Sequence, residues 1–350
     1  MIYPQCYNGT MVPMVTADGY LHPCCQVGHD YKRTIKTKHG KPTNNPFYDD
    51  AFHLYKHSYA DIVEGSAWND MIEGLKHTDL HACNLFCGNK DYPRNSATGT
   101  EESWTDNRVY TKDLDIIQFE TTNRCTLECP YCARQAFKRR YPDKFSSTLN
   151  KKDLDIKIVE DVLSYRKWKI IVDCGTYGDP IYYKHYHEMV EFLSVVNPWQ
   201  YTVSIAATGK TQQWWDQTHE AWEFLHKSGT NVTIMWGIDG LSDTSSKHRI
   251  KQDWDEISTQ MKRAAKNGLY STWQYIPMSF NEHQIEQAME LANDWGVIFF
   301  LKPSDRFLKD DDPNRPSEDL YYHINDSNGI RTQTNKPRKE QHEPRVHIQR

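Results

Sequence analysis

The sequence predicts an α/β chain built on a partial (β/α)6 TIM-like barrel, with a small N-terminal Cys-rich segment in front of it. Three observations carry this. From residue 114 onward, short apolar runs alternate with helical stretches six times, and such alternation implies a parallel sheet with right-handed crossovers. Upstream lie Cys6, Cys24, Cys25, Cys83 and Cys87, clustered at short spacings. Between the two regions, residues 88–113 are polar and scattered with Gly, Pro, Asn and Ser, the composition of a connecting loop. The chain of 350 residues then divides into a cysteine-rich region at 1–90, a linker at 91–113, a barrel at 114–305 and a polar extension at 306–350.

Taken in order, the first element is a hairpin. Asp18-Gly19 is a turn signal between β-like runs at 10–15 and 20–21. Such a hairpin brings Cys6 toward Cys24. Residues 58–77 have helical spacing, with Ile62, Met71, Ile72 and Leu75 as apolar points. The barrel strands are expected at 116–119, 170–173, 201–206, 232–238, 272–276 and 297–301. Its helices are expected at 134–140, 151–168, 185–196, 211–228, 252–267 and 282–295. Asn150 is the expected N-cap of the second helix, and Asn267-Gly268 ends the fifth. In the extension, residues 316–324 are expected to form one capping helix, and the chain beyond 330 to be disordered.

Bulk properties narrow the function. The net charge of −5 is of mixed sign, which gives no global bias toward nucleic acid. The last twenty residues are basic, but they lack interleaved aromatics and read as a solvated end. There is no apolar run of membrane-spanning length and no signal pattern at the N-terminus, so the expected setting is cytoplasmic, with no membrane. Nine cysteines grouped at short spacings in a long chain point to metal binding rather than a disulfide framework.

The chemistry concentrates between residues 116 and 134. An apolar run, Ile116–Phe119, precedes Cys125, Cys129 and Cys132, spaced C-x3-C-x2-C. Three adjacent thiolates suit one soft metal centre. A cuboidal 4Fe–4S cluster is usually held by Cys thiolates, and three protein ligands leave one iron open. Structural zinc is closed by four ligands, and no histidine lies nearby to supply a fourth. Upstream, the pairs Cys6/Cys24 and Cys83/Cys87 can close a four-thiolate site for Fe–S or zinc, with Cys25 as a stand-in for Cys24. Cys174 stands alone at the end of the second barrel strand, as an apolar filler or a radical-relay thiol.

The C-x3-C-x2-C loop, with the aromatic Tyr131 just before its third cysteine, resembles the radical S-adenosylmethionine (SAM) superfamily. That resemblance implies that SAM chelates the fourth iron and that an external one-electron donor of flavodoxin or ferredoxin type reduces the cluster. SAM then splits to a 5′-deoxyadenosyl radical that abstracts hydrogen from substrate. The same resemblance extends to the other strand ends, where SAM is expected to be held. Tyr177-Gly178-Asp179-Pro180 is similar to the family's GGEP turn, with Tyr and Asp replacing Gly and Glu. Thr208-Gly209 matches part of a TNG turn. Gly237-Ile238-Asp239-Gly240, with His248 and Arg249 after it, resembles the SIDG…H…R segment of peptide-modifying members, with Gly237 in place of serine. Arg249 can pair with the SAM carboxylate as a two-pronged fork. Ile276 and Lys302 end the later strands in the same cleft.

A second resemblance is to the SPASM and twitch auxiliary-cluster domains, in the C-x12-G-x4-C spacing of Cys6, Gly19 and Cys24. It implies a second 4Fe–4S cluster on Cys6, Cys24, Cys83 and Cys87. In the family such domains follow the barrel; here the match precedes it. Three functions follow. One is radical modification of a peptide or protein side chain. A second is oxidation or rearrangement of a small molecule such as a sugar or nucleotide. The third is a non-enzymatic zinc or Fe–S protein.

Overall fold

The computed structural model describes residues 12–25, 34–36, 42–75, 80, 115–148, 152–302, 304, 307, 311–320 and 330–331. Six parallel strands coincide with the expected runs to within two residues at each end. They are β5 (Ile116–Phe119), β6 (Ile170–Cys174), β7 (Gln200–Ile205), β8 (Asn231–Gly237), β9 (Tyr270–Tyr275) and β10 (Ile298–Leu301). The sheet does not stop there. The N-terminal hairpin forms at its expected turn, with β1 (Met14–Val15) antiparallel to β2 (Leu21–His22). Strand β1 also pairs in parallel with β5, Met14 opposite Gln118 and Val15 opposite Phe119. At the far edge β11 (Ile330–Arg331) runs antiparallel to β10. The result is a nine-stranded, mostly parallel sheet in the order β11-β10-β9-β8-β7-β6-β5-β1-β2. A separate two-stranded ribbon joins β3 (Thr34–Lys36) and β4 (Pro42–Asn44).

Period-two alternation gives the sheet two different faces. Ile117, Phe119, Ile171, Tyr201, Val203, Ile205, Ile234 and Trp236 belong to the main apolar core. Helices α5 (Ile156–Ser164), α6 (Tyr186–Val196), α7 (Gln212–Lys227), α9 (Trp254–Lys266) and α10 (Ile285–Asp294) pack there. Trp215, Trp222 and Trp236 fill the layer between sheet and α7, with ring centroids 6.3–6.5 Å apart. The Trp222 indole N–H donates to the Tyr186 hydroxyl at 3.0 Å, so its one polar atom is satisfied in the core. The opposite face is mixed. Its registered rows run Gln118–Val172–Thr202–Thr233 and Cys174–Ser204–Met235–Thr272. Ser204, Thr233, Met235 and Phe300 are only half-buried. Parallel sheets covered on both sides are apolar on both, so this polar face is the hollow side.

Three helices depart from the expected spans, and two short ones were not anticipated. The stretch at 58–77 splits at Gly65, whose extended backbone (φ −69°, ψ 150°) separates α1 (Tyr59–Glu64) from α2 (Ser66–Gly74). The helix expected at 151–168 is the shorter α5, because Asp155 takes the N-cap by accepting from the Lys157 N–H. Residues 152–154 are instead used as an extended clasp on the cysteine loop; Asn150 lies outside the described residues. After α3 (Ala133–Arg140) comes an unanticipated α4 (Pro142–Thr148). The last helix starts with a 3-10 turn over Glu282–Gln284. A short helix, α8 (Ser245–His248), also lies in the loop after β8. In the extension, residues 318–320 are helical, and the rest of the helix expected at 316–324 lies outside the described residues. No helix among the described residues is long and apolar enough to cross a membrane.

Candidate metal and cofactor site

All parallel strands point their C-terminal ends the same way, and the cysteine loop leaves β5 at that end. Its base is clasped from outside. Thr122 and Asp153 form an antiparallel bridge, and the Leu154 N–H donates to the Thr121 carbonyl at 2.8 Å. The Asn123 side-chain carbonyl accepts from the Lys152 N–H at 2.7 Å, and Arg124 pairs with Asp153 at 2.7 Å. Two further strand ends then hold the loop. The Thr126 hydroxyl donates to the Thr208 carbonyl at 3.2 Å after β7, and the Glu128 N–H to the Ile250 carbonyl at 3.1 Å after β8. Gln135 on α3 donates back to the Leu127 carbonyl at 3.1 Å.

Within this frame the Leu127 N–H donates to the Cys125 sulfur at 3.4 Å, and the Cys132 N–H to the Cys129 carbonyl at 3.1 Å. Cys132 is the N-cap of α3, at the positive end of the helix. Burial pushes the Cys125 thiol up, with smaller contributions from Asp179, Cys129 and Cys132. The three cysteines therefore share one electrostatic neighbourhood. Among the described residues no three His, Cys, Asp or Glu side chains are gathered at metal-ligating distance. The donor chemistry nevertheless fits a thiolate-held cluster: three thiols on one pinned loop, with the Arg249 cation close enough for Cys129 to act on it.

The turn after β6 closes against the loop. A Cβ on Gly178 would lie 2.0 Å from the Thr122 carbonyl oxygen and 2.7 Å from the Asn123 Cα, so only glycine permits this approach. Asp179 is fully enclosed. One of its carboxylate oxygens accepts from the Ala206 and Ala207 N–H groups at 2.7 and 2.8 Å, the other from the Ile181 N–H at 3.3 Å. Burial raises its carboxyl, and those three donors pull the other way. Pro180 starts the 3-10 turn over Pro180–Tyr182 and is buried. Thr208 is a hub: its carbonyl accepts from Thr126 and, at 2.5 Å, from the Tyr182 hydroxyl. Its own hydroxyl accepts from the Asp253 N–H at 2.9 Å.

After β8 the carboxylate of Asp239 organises the loop. One oxygen lies 2.6 Å from His248 Nδ1 and 2.8 Å from Arg249 Nε, the latter close enough for an ion pair but off the line of a hydrogen bond. The other oxygen accepts from the Ile276 N–H at 2.8 Å. Burial alone would raise this carboxyl; Arg249, His248 and the Ile276 N–H outweigh it and hold Asp239 well below the usual range. Arg249 stands beside Asp239 with its side chain 14% exposed, so it is largely covered rather than a surface arginine; Asp239, Cys129 and Asp179 all act on its charge. A Cβ on Gly237 would sit 2.9 Å from Arg249 Nη2, so glycine at the position of the family's serine leaves room for the guanidinium. The hydroxyl of Tyr131 donates to Asp312 at 2.6 Å and accepts from Asn314 at 2.9 Å. Its ring lies 5.9 Å from that of His248 and 5.7 Å from that of Phe307.

The structure thus brings Cys125, Cys129, Cys132, Tyr131, Gly178, Asp179, Pro180, Thr208, Asp239 and Arg249 to one end of the sheet. Cys174 lies on the hollow face, opposite Ser204. Cys24 is buried and Cys25 half-buried after the N-terminal hairpin, while Cys6, Cys83 and Cys87 lie outside the described residues. Several members of the site were not singled out from the sequence. Gln252 spans the ends of β7 and β8, donating to the Ala206 and Gly237 carbonyls at 2.7 and 2.9 Å. Asn281 donates to the carbonyls of Asp239 and Ile276 at 3.2 and 3.1 Å. Glu120 accepts from the Thr176 and Tyr177 N–H groups at 3.0 and 2.6 Å; a carboxylate directly after an apolar strand was its one visible signal.

Comparisons agree with the loop and its strand. Residues 119–292 match the radical SAM superfamily. No curated protein matches the sequence. Among solved structures, that of Streptococcus suis SuiB has 12% identity and a TM-score of 0.40, over 82% of this chain and 59% of that one. SuiB bound to S-adenosylmethionine gives 12% and 0.41, over 91% and 70%. SuiB bound to precursor peptide SuiA gives 11% and 0.35, over 85% and 62%. In the first comparison this chain spans less than two thirds of the other's length, and likeness at this level fixes neither activity nor substrate. With cysteines at the first strand's C-terminal end, the region that matches the radical SAM superfamily, residues 119–292, is the one that holds the cysteine loop.

Proposed function

We propose that the chain is a radical SAM enzyme that modifies a side chain of a peptide or protein. Cys125, Cys129 and Cys132 would hold the 4Fe–4S cluster, and the loops after β6, β7 and β8 would hold SAM beside it. Bound together, cluster and SAM supply a carbon radical able to take hydrogen from an unactivated C–H bond. The observation that carries the reading is Arg249, a largely covered cation 2.8 Å from Asp239 on which Cys129 and Asp179 also act. It is placed to meet a carboxylate next to the thiols. Asp239 and His248 fix the direction of that guanidinium, Gly237 leaves it space, and Thr208 and Gln252 tie the three strand-end loops into one rim. Tyr131, latched by Asp312 and Asn314, covers the loop from the side of the extension. Cys6, Cys24, Cys83 and Cys87 would hold a second cluster, a proposal that rests on their spacing alone.

The hollow face of the sheet favours a second reading, oxidation or rearrangement of a small polar molecule. Gln118, Thr202, Ser204, Thr233 and Gln274 offer amides and hydroxyls there. Both readings require that anaerobically reconstituted protein take up iron and sulfide and cleave SAM to 5′-deoxyadenosine under dithionite. Absence of cleavage from a fully loaded protein would remove both. Deuterium carried into 5′-deoxyadenosine from a labelled peptide or from a labelled sugar or nucleotide separates them.

A further inference from the structure

We propose that the exposed basic surface beside the cysteine loop is the docking face for a small acidic one-electron carrier protein. The inference rests on the radical SAM reading and names where its electron would enter. Helix α3 starts at its N-cap Cys132 and ends on Lys138, Arg139 and Arg140, all exposed, with no acidic residue in its first turn. At 1.5 Å per residue these cations stand only about 9–12 Å along the helix from the third cysteine. The patch also touches the loop itself. Arg139 donates to the Pro130 carbonyl at 3.0 Å, between Cys129 and Cys132. The Lys138 charge acts on Glu128, the residue before Cys129. Lys251, from the loop after β8, lies 2.7 Å from the same carboxylate, with side chains 57% and 46% exposed.

Lys138, Arg139, Arg140 and Lys251 thus lie beside the cysteine loop, with Glu128 and, just past Arg140, Asp143 as the neighbouring carboxylates. The chain as a whole carries −5, so this local excess runs against its composition. Charge of one sign on one face steers a partner of the other sign. A protein partner fits better than nucleic acid because the nearby rings are not presented for stacking. Phe137 packs on Phe145 and Tyr177, and Tyr141 lies against Phe137 with the Arg140 guanidinium 5.5 Å from its centroid. The step needed at this face is a single electron transfer. The carrier loses one electron, the metal centre held by the three cysteines gains it, and no atom or proton passes between them.

The test is the double charge reversal Lys138→Glu/Arg140→Glu, leaving Arg139 and Lys251 because they contact the loop. The neutral pair Lys138→Gln/Arg140→Gln serves if the reversal does not fold, judged by circular dichroism. Binding of an oxidised acidic flavodoxin, and of an acidic ferredoxin, is measured by biolayer interferometry at low and high ionic strength. The expected result is wild-type binding that weakens with salt, and about tenfold weaker binding by the reversal at low salt. Reduction of the loaded protein by flavodoxin hydroquinone should slow with it, while reduction by dithionite stays the same. Equal binding and equal reduction by wild type and variant would overturn the proposal. So would a wild type that binds neither carrier but binds a single-stranded RNA through the same two residues. Failure of the radical SAM reading would appear elsewhere, as wild-type protein that takes up no iron and sulfide or cleaves no SAM under dithionite.

Discussion

At the scale of single residues, the rim of the site depends on buried charges with assigned partners. Asp239 is the clearest. Its carboxylate meets His248, Arg249 and a backbone N–H with no exposure to water. Removing one member of such a buried pair strands the other, at a cost of about 3–5 kcal/mol. Asp239→Ala should therefore lower unfolding free energy by that amount in a urea titration, and by less in an Asp239→Ala/Arg249→Met double variant. Asp173 is the opposite case. It is fully enclosed on the helix-facing side of β6, and one oxygen accepts from the Thr121 hydroxyl at 3.1 Å. Its other oxygen meets no hydrogen-bond partner among the described residues. Burial, with smaller contributions from Asp179 and Glu120, pushes its carboxyl up to about 8 from the ordinary 3.8. Between those two values the folded chain holds a proton that the unfolded chain has released, so stability falls as pH rises and levels off above the upper one. Asp173→Asn should abolish this slope, matching wild type near pH 4 and exceeding it in melting temperature near pH 8. None of this was legible in the sequence. An Asp inside an apolar run shows that it will be buried, but not whether a cation will be buried with it.

At the scale of elements, the strands were legible and the clasps between them were not. Apolar runs of four to seven residues, such as β5 and β8, announce themselves because both sheet faces demand non-charged side chains. The extended 152–154 segment had looked helical because its neighbours are. Its backbone partners, Thr121 to Asn123, lie some thirty residues back, and local propensity holds no record of them. The same applies to the turn at 312–314. Pro313 and Asn314 read as an ordinary polar loop, yet they accept from the Ser279 hydroxyl and N–H at 2.7 and 3.1 Å. Asp312 and Asn314 meanwhile hold the Tyr131 phenol. Loss of one such bond is worth about 1 kcal/mol. Asp312→Ala should raise amide exchange at 311–320 and at the Tyr131 loop together, while α7 keeps its protection; unchanged exchange at the loop would mean that the turn merely rests on it.

At the scale of the whole molecule, the parallel α/β sheet and the position of the cysteine loop at its C-terminal end could both be read from the sequence, because each depends on repeated local pattern. Six strand–helix units implied the parallel sheet, and the C-terminal end of the first one carries the cysteines. What the pattern did not contain was the parallel pairing of the hairpin with the barrel sheet. The run at 10–15 reads as β-like, and Met14 and Val15 form its strand against β2. Nothing local in them names β5 as their other partner. That pairing has a consequence for how the chain is made. Met14 and Gln118 stand 104 positions apart and are bonded side chain to side chain. Bringing such distant points together costs about 4 kcal/mol of chain entropy. The hairpin leaves the ribosome before β5 and must wait, unpaired along one side, while everything up to the cysteine strand is synthesised. The edge that borders the cysteine loop is thus shielded by a segment made about a hundred residues earlier, and the interval before the two pair is when both are most open to pairing with a neighbouring molecule.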